Sequence, residues 1–257
     1  MESLNVTISN QVATIFLNNP PANVLARNVL QNLKEVLVSL KDNSEVRVIV
    51  IRGEGRFFSA GADIKEFTIM SDDTPLDEMT LLGQSILELV ETFPKPIIAA
   101  IHGAALGGGL ELAMACHIRL VADNAKLGLP ELQLGLIPGY GGTIRLATIV
   151  GSAKAAEMMF TSEPISGEEA YRLGLANHVY PHEKLFEKAN ELAERIALKS
   201  PNSLKAVIEM LNRHKNQEYE AALKRESVLF SQCYVSKDGR EGVHAFIEKR
   251  KPVFKGE

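Results

Sequence analysis

Hydrophobic residues along the first fifty positions change their period twice. Residues 4–17 contain two short β-rich runs on either side of Asn10-Gln11, a pattern that predicts a β-hairpin. Leucines then recur at positions 30, 33, 37 and 40, which is the spacing of one face of a helix. The apolar run VRVIVI at 46–51 follows and predicts a buried strand.

The same alternation of helical and β-rich segments continues to residue 150. It predicts helices over 77–92 and 141–150, and strands over 97–101, 117–122 and 126–129. Strands that alternate with helices in this way are typical of an α/β core. The polar run SDDTP at 71–75 predicts a mobile surface loop.

Beyond residue 197 the β-rich runs cease. Three helical stretches follow, with breaks at Pro201, near Asn216 and near Asp238-Gly239. We therefore predict two regions: residues 1–197 form the α/β core that carries the active site, and residues 198–257 form a helical C-terminal region.

Composition and charge narrow the function classes. Hydrophobic residues make up 46% of the 257 positions and charged residues 23%, as in a globular protein with a sizeable core. The formal net charge of −4 gives the chain no overall positive charge that would attract nucleic acid or an anionic membrane. The two cysteines lack metal-ligand spacing and fit a reducing compartment. The N-terminal segment resembles no leader peptide, so we expect a cytoplasmic location, or an organellar one after removal of a leader.

Three glycine-rich corners each follow a strand or precede a helix: FFSAGADI at 57–64, HGAALGGGLELA at 102–113 and GLIPGYGGTIRL at 135–146. A helix N-terminus presents unpaired N–H groups and the positive end of the helix dipole, so each corner is a candidate oxyanion site. Glycines that only cap and turn are the alternative. None of the corners carries the motif of a phosphate loop, a dinucleotide-binding fold or a serine hydrolase.

Two carboxylates stand alone among apolar residues. Glu111 follows the glycine run on a first helical turn, and Glu131 follows Pro130 in GLPELQLGL. Glu111 could simply complement its helix N-terminus, and Glu131 could be a turn residue. Together they form a candidate acid and base pair for proton transfer at neutral pH. The six histidines show no metal-binding cluster.

The sequence resembles the enoyl-CoA hydratase/isomerase family, also called the crotonase superfamily, in six motifs that follow one another along the chain: FSAGAD (58–63), KPIIAA (95–100), ALGGG (105–109), PE (130–131), LIPG (136–139) and EKRK (248–251). The resemblance implies an α/β fold, a crotonase-like spiral of repeated strand-strand-helix units with a C-terminal helical trimerisation region. It also implies a homotrimer or a dimer of trimers, and an acyl-CoA thioester substrate. Coenzyme A is then part of the substrate, with no separate cofactor and no metal.

The resemblance also assigns catalytic roles. It implies that the backbone N–H groups of Ala62 and Gly108 form an oxyanion hole for the thioester carbonyl. Glu111 would hold and deprotonate the water that attacks C3, and Glu131 would deliver a proton to C2. The product of a trans-2-enoyl-CoA is then a 3-hydroxyacyl-CoA, as in fatty-acid β-oxidation.

Other positions match substrate contacts of the family. Residues expected near coenzyme A are Ala60, Asp63, Ile64, Lys65 and Lys249. Tyr140 is expected near the acyl end, and Phe230 matches an aromatic that in the family can close the acyl pocket from a neighbouring subunit. Further residues expected to bind the substrate are Gly107, Pro138 and Gly139. Tyr140 replaces an alanine frequent in the family, which leaves the preferred acyl length open.

Several alternatives remain at this point. A methylglutaconyl-CoA or other branched enoyl-CoA hydratase would share both glutamates, whereas an enoyl-CoA isomerase needs one proton shuttle at the Glu131 position. Some family members bind RNA through a lysine-rich helix, but the helix at 28–40 offers only Lys34. A scaffold without catalysis is disfavoured because both glutamates and both hole positions are present. A 3-hydroxyacyl-CoA dehydrogenase is a candidate partner.

Overall fold

The computed structural model of the protein describes residues 3–69, 76–212 and 217–253, so the loop predicted at 71–75 lies outside the described residues. Within these ranges the strands are β1 (Leu4–Ser9), β2 (Val12–Leu17), β3 (Val48–Gly53), β4 (Phe57–Ser59), β5 (Ile97–Ile101), β6 (Ala104–Leu106), β7 (Ile118–Ala122), β8 (Lys126–Gly128), β9 (Ile165–Ser166) and β10 (His178–Tyr180).

The α-helices of the described residues are α1 (Arg27–Lys41), α2 (Ile64–Ile69), α3 (Leu76–Glu91), α4 (Gly108–Ala115), α5 (Gly142–Val150), α6 (Ser152–Thr161), α7 (Gly167–Arg172), α8 (Leu185–Ala197), α9 (Pro201–Asn212), α10 (Gln217–Val235) and α11 (Lys237–Ile247). Two short 3-10 helices cover Glu131–Leu134 and His182–Lys184. The elements predicted from the sequence are confirmed, with ends that move by one or two residues.

Six strands form the larger sheet, in the order β1-β2-β3-β5-β7-β10. The first two strands pair antiparallel as the predicted hairpin, and Asn10 and Gln11 take positive φ angles in its turn. The remaining pairs are parallel. Every residue of β5 is buried, as expected for a parallel strand covered on both faces.

The smaller sheet has the order β4-β6-β8-β9, and its first three strands run parallel. Parallel neighbours end at the same edge of a sheet, so the segments that follow β4, β6 and β8 lie side by side. Ligand sites in open parallel sheets form at this edge. The smaller sheet therefore brings together three segments that are far apart in the sequence.

Three helices follow residue 197, as predicted, and the break predicted near Asp238-Gly239 is confirmed at Ser236, two residues earlier. Helix α11 begins at Lys237, and the Ser236 hydroxyl caps it by accepting the Gly239 N–H at 3.0 Å. A Cβ atom placed on Gly239 would lie 2.1 Å from the Cys233 carbonyl oxygen. The glycine is there because α11 packs closely on the end of α10.

The C-terminal helices pack back on the core. Helix α10 contacts α3 and α5, and α11 contacts α2 and the 3-10 helix at Glu131–Leu134. Leu136, Phe230 and Val243 form a small apolar cluster at this junction. The boundary between the two regions at residue 197 stays a prediction. No α-helix within the described ranges is both long and apolar enough to cross a lipid bilayer.

Candidate active site

The strand ends of the smaller sheet supply the separate parts of the site. Strand β4 leads through Ser59 to Ala62, β6 leads into the glycine run that begins α4, and β8 leads to Pro130 and Glu131. Because these strands are parallel neighbours, the two predicted glutamates and the two predicted hole positions meet at one edge.

The glycine run at 107–109 allows two close approaches to neighbouring segments. Gly107 has a φ of +51°, and a Cβ atom placed on it would lie 3.0 Å from Oε1 of Glu131. A Cβ atom on Gly109 would lie 2.3 Å from the Ser59 carbonyl oxygen, so glycine lets α4 begin directly against β4. Side chains in this run would push the helix start away from both neighbours.

The N–H groups of Ala62 and Gly108 lie close together beside this helix start. Gly108 is the first residue of α4, so its N–H has no acceptor within the helix. A Cβ atom placed on Gly108 would lie 3.3 Å from the Ala62 nitrogen, and one placed on Gly61 would lie 3.2 Å from the Gly108 nitrogen. Such a pair of N–H groups can bind a developing oxyanion.

Glu111 is 1% exposed on the first turn of α4. Its Oε1 accepts the N–H of Tyr140 at 2.8 Å and the N–H of Gly142 at 2.7 Å. Burial raises the pKa of Glu111 well above its usual value, and the charges of Glu131 and Glu226 raise it further, while the two N–H donors act in the opposite direction.

Glu131 begins the 3-10 helix after β8. Its Oε2 is shut off from solvent and has no hydrogen-bond partner in the described part of the chain. Burial raises the pKa of Glu131 to about 8, with a smaller contribution from the charge of Glu226. This carboxyl group therefore holds a proton at neutral pH and can donate it.

Both glutamates line one cavity of about 410 Å³. The other predicted residues in its wall are Ala60, Ala62, Ile64, Gly107, Gly108, Gly139, Tyr140 and Phe230. The resemblance implied that Phe230 comes from a neighbouring subunit. That expectation is corrected here, because α10 folds back over the core and places Phe230 of the same chain in the wall.

Four predicted substrate residues lie outside the cavity wall. The Asp63 carboxylate accepts the Lys65 N–H at 3.0 Å near the start of α2, and the Lys249 N–H donates to the Phe246 carbonyl at the end of α11. The side chain of Pro138 packs beside Gly142. Their contacts with coenzyme A or the acyl group stay predictions.

Sequence reasoning missed several residues of the site. Further residues in the cavity wall are Thr80, Leu106, Gln133, Leu134, Leu136, Ser162, Pro164 and Phe246. Glu226 was missed as well, although it is only 3% exposed. It stands in the charged run LKRES of α10, which has the composition of a solvated helix face. Among the described residues, no group of three or more His, Cys, Asp or Glu side chains is placed to hold a metal ion.

Comparisons with known proteins point to one family. The family model described as Enoyl-CoA hydratase/isomerase matches residues 7–257. A Bacillus subtilis protein named "Probable enoyl-CoA hydratase" is 51% identical, with all of both chains covered. A Clostridium acetobutylicum "Short-chain-enoyl-CoA hydratase" is 38% identical over 98% of this chain and 97% of its own. The crystal structure of an enoyl-CoA hydratase from Mycobacterium avium subsp. paratuberculosis superposes with a TM-score of 0.88 at 29% identity, covering 99% of each chain.

The raised pKa of Glu131 predicts a pH-dependent gain in stability for Glu131→Gln. In the unfolded chain this carboxyl ionises near its ordinary pKa of 4.5, whereas in the folded protein it keeps its proton up to about pH 8. Folding therefore retains a proton between these values, and the free energy of unfolding falls as the pH rises through that window. Glutamine does not ionise, so the free energy of unfolding of the variant does not fall in this way.

We expect Glu131→Gln to match the wild type near pH 5 and to exceed its free energy of unfolding by more than about 1 kcal/mol at pH 8. Urea unfolding at both pH values measures the difference, with the exposed Glu163→Gln as control. A variant that is equally stable or less stable at pH 8 would contradict the protonated, buried carboxyl.

Proposed function

The chain belongs to the enoyl-CoA hydratase/isomerase family, and we propose that it hydrates short trans-2-enoyl-CoA thioesters to 3-hydroxyacyl-CoA. One observation carries the proposal: the buried Glu111, the half-buried Glu131 with its Oε2 shut off from solvent, and a pair of neighbouring backbone N–H groups border the same cavity. These groups match what the reaction needs, which is two proton transfers and a place for negative charge on the thioester oxygen.

The N–H groups of Ala62 and Gly108 hold the thioester carbonyl in the proposed reaction. They polarise the conjugated double bond so that C3 becomes electrophilic, and they stabilise the enolate oxygen after attack. The positive end of the α4 dipole lies at the same position. A preorganised donor of this kind is worth about 10²–10³ in rate.

The glutamates then divide the proton transfers. Glu111 accepts a proton from the bound water while the water oxygen bonds to C3. Glu131 gives its proton to C2 of the enolate. The substrate thereby gains a hydroxyl group at C3 and a hydrogen at C2. A proton then passes from Glu111 back to Glu131 through solvent, which restores both carboxyls. The raised pKa of Glu131 suits the acid. Burial raises the pKa of Glu111 as well, and its two N–H donors are the contacts that favour the ionised form a base needs.

A hydratase is favoured over an isomerase because Glu111 is held in a fixed position. An isomerase moves one proton and needs a single shuttle at the Glu131 position. Here the Glu111 carboxylate is buried and oriented by two backbone N–H groups, as a base that holds water must be. A branched enoyl-CoA hydratase would use the same two residues and differ in the shape of the acyl pocket.

Tyr140 supports a short acyl group. Its ring is wedged between α3 and α4: a Cβ atom placed on Gly83 would lie 2.3 Å from Cδ1 of the ring, and one on Gly108 would lie 3.1 Å from Cε2. The Phe230 ring packs on the neighbouring Gly139. Two aromatic rings thus occupy the wall where an alanine at position 140 would leave space. The relative named for short-chain substrates agrees with this reading.

The physiological setting is part of the proposal. We place the reaction in fatty-acid β-oxidation in the cytoplasm, with a 3-hydroxyacyl-CoA dehydrogenase as the enzyme that consumes the product. No cofactor is required, because water, two carboxyls and hydrogen-bond donors account for every step. The trimer or dimer of trimers implied by the family stays a prediction.

The direct test is hydration of crotonyl-CoA, followed by the loss of the enoyl-thioester absorbance. We expect turnover by the wild type, and a fall of about 10²-fold or more in Glu111→Gln and in Glu131→Gln, because each variant lacks one proton-transfer group. The exposed Glu163→Gln serves as control and should match the wild type. Near-normal turnover of a 3-enoyl-CoA by Glu111→Gln would favour an isomerase, and a wild type inert toward crotonyl-CoA would contradict the proposal.

A series of trans-2-enoyl-CoA substrates from four to ten carbons tests the role of Tyr140. In the wild type kcat/KM should fall with chain length. In Tyr140→Ala the ratio of kcat/KM for the ten-carbon substrate to that for crotonyl-CoA should rise about tenfold or more, because the ring is gone. Tyr140→Phe keeps the ring and should keep the preference. A ratio that Tyr140→Ala leaves unchanged would show that the ring does not limit acyl length.

A further inference from the structure

Glu226 of α10 is a buried carboxylate that the proposed reaction does not use. It lies opposite the start of α5 and is 3% exposed. Its Oε1 accepts the Gly141 N–H at 2.5 Å, and its Oε2 accepts both the N–H of Thr143, at 3.2 Å, and the Thr143 hydroxyl. Three hydrogen-bond donors thus satisfy this buried carboxylate, and they link α10 to the start of α5.

The Glu226 bonds interleave with those of Glu111. Along residues 140–143, the four consecutive N–H groups go in turn to Glu111, Glu226, Glu111 and Glu226. One short turn is therefore held from two sides by two carboxylates on different helices. A shift of the turn toward either side would lengthen the bonds on the other.

Arg145 locks the same turn from within α5. Its Nη1 donates to the Tyr140 carbonyl at 2.6 Å, and its Nη2 pairs with Oε2 of Glu91 at 2.9 Å. Burial raises the pKa of Glu226, and the N–H and hydroxyl donors of the turn and the Arg145 guanidinium act in the opposite direction. On the α3 side, Gln84 donates to the carbonyl oxygens of Gly139 and Leu223. The backbone around Glu111 is thus fixed by side chains of three helices.

We propose that Glu226 is a positioning residue for Glu111. By holding the N–H groups of Gly141 and Thr143, it fixes the adjacent N–H groups of Tyr140 and Gly142, which orient the Glu111 carboxylate, and so fixes the water that Glu111 activates. The proposal rests on the hydratase function argued above. It assigns a role in the reaction to a residue of the C-terminal helices that does not line the cavity.

Glu226 also acts through its charge. The charged groups around it are Glu111 from α4, Glu131 from the 3-10 helix and Arg145 from α5, with Glu91 of α3 paired to that arginine. Helix α11 contacts α10 farther along, at Cys233. The negative charge of Glu226 raises the pKa of both Glu111 and Glu131. Removing that charge should lower both values.

Glu226→Gln is the informative variant because it keeps the size of the side chain but removes the charge. Its amide NH₂ group cannot accept an N–H donor, so one side of the turn loses its partner. We expect kcat for crotonyl-CoA to fall about tenfold or more, KM to change little, and the pH profile of kcat to move to lower pH.

Ser227→Ala is the matched control. This buried neighbour on α10 lies 2.5 Å from the Thr80 hydroxyl, so the variant removes a buried hydrogen bond and leaves the turn at 140–143 untouched. We expect it to lower the melting temperature and keep the wild-type pH profile. A Glu226→Gln enzyme with the wild-type pH profile, or one that behaves like Ser227→Ala at equal stability, would overturn the proposal.

A second readout separates this inference from the hydratase assignment. Carbon-13 NMR of labelled glutamate carboxyls follows the titration of Glu111 without any substrate, and a Glu111→Gln spectrum identifies its signal. If the wild type does not hydrate crotonyl-CoA, the proposed function fails, yet a Glu111 titration that moves to lower pH in Glu226→Gln still supports the coupling. An unmoved titration overturns it whatever the activity.

Discussion

Burying a carboxylate in an apolar cavity costs free energy unless hydrogen-bond donors meet it, and the site depends on how the fold supplies those donors. The start of α5 provides four consecutive N–H groups, and two carboxylates from α4 and α10 share them. Glu131 receives much less support: its Oε2 has no partner within the described residues, and its pKa rises to about 8. Burial raises the pKa of both carboxyls, so what distinguishes the two is the pair of backbone N–H groups that favours the ionised form of Glu111.

The sheets make this arrangement available. Three short parallel strands deliver Ala62, Gly108 and Glu131 to one edge, although these residues span about seventy positions of the sequence. The glycines at 107–109 then let the start of α4 lie against both β4 and the Glu131 carboxyl. The larger sheet, whose inner strand β5 is buried along its whole length, gives the rigid support that a preorganised site requires.

Much of this could be predicted from the sequence because it depends on local patterns. The hairpin turn at Asn10-Gln11, the leucine face of α1 and the buried strands follow from periodicity alone. Glu111 and Glu131 stood out because each is an acid among apolar neighbours, and the family motifs added the two hole positions.

The rest depends on contacts between distant segments. Glu226 was hidden because its own helix is rich in charged residues, and only the packing of α10 on α5 buries it. The glycine at 239 marked the nearby break between α10 and α11, but its role in close packing of α11 on α10 depends on contacts between the two helices. The position of Phe230 in its own chain's cavity follows from how the C-terminal helices fold back, which no local pattern encodes.

The division of roles between Glu111 and Glu131 is tested most directly by the exchange of the C2 protons of butyryl-CoA with D₂O, detected by mass spectrometry. This saturated thioester cannot be hydrated, so exchange needs only the N–H pair of Ala62 and Gly108 and the carboxyl that faces C2. The account predicts that the wild type and Glu111→Gln exchange C2 protons and that Glu131→Gln does not. Exchange that survives in Glu131→Gln and disappears in Glu111→Gln would contradict the division of roles between the two glutamates.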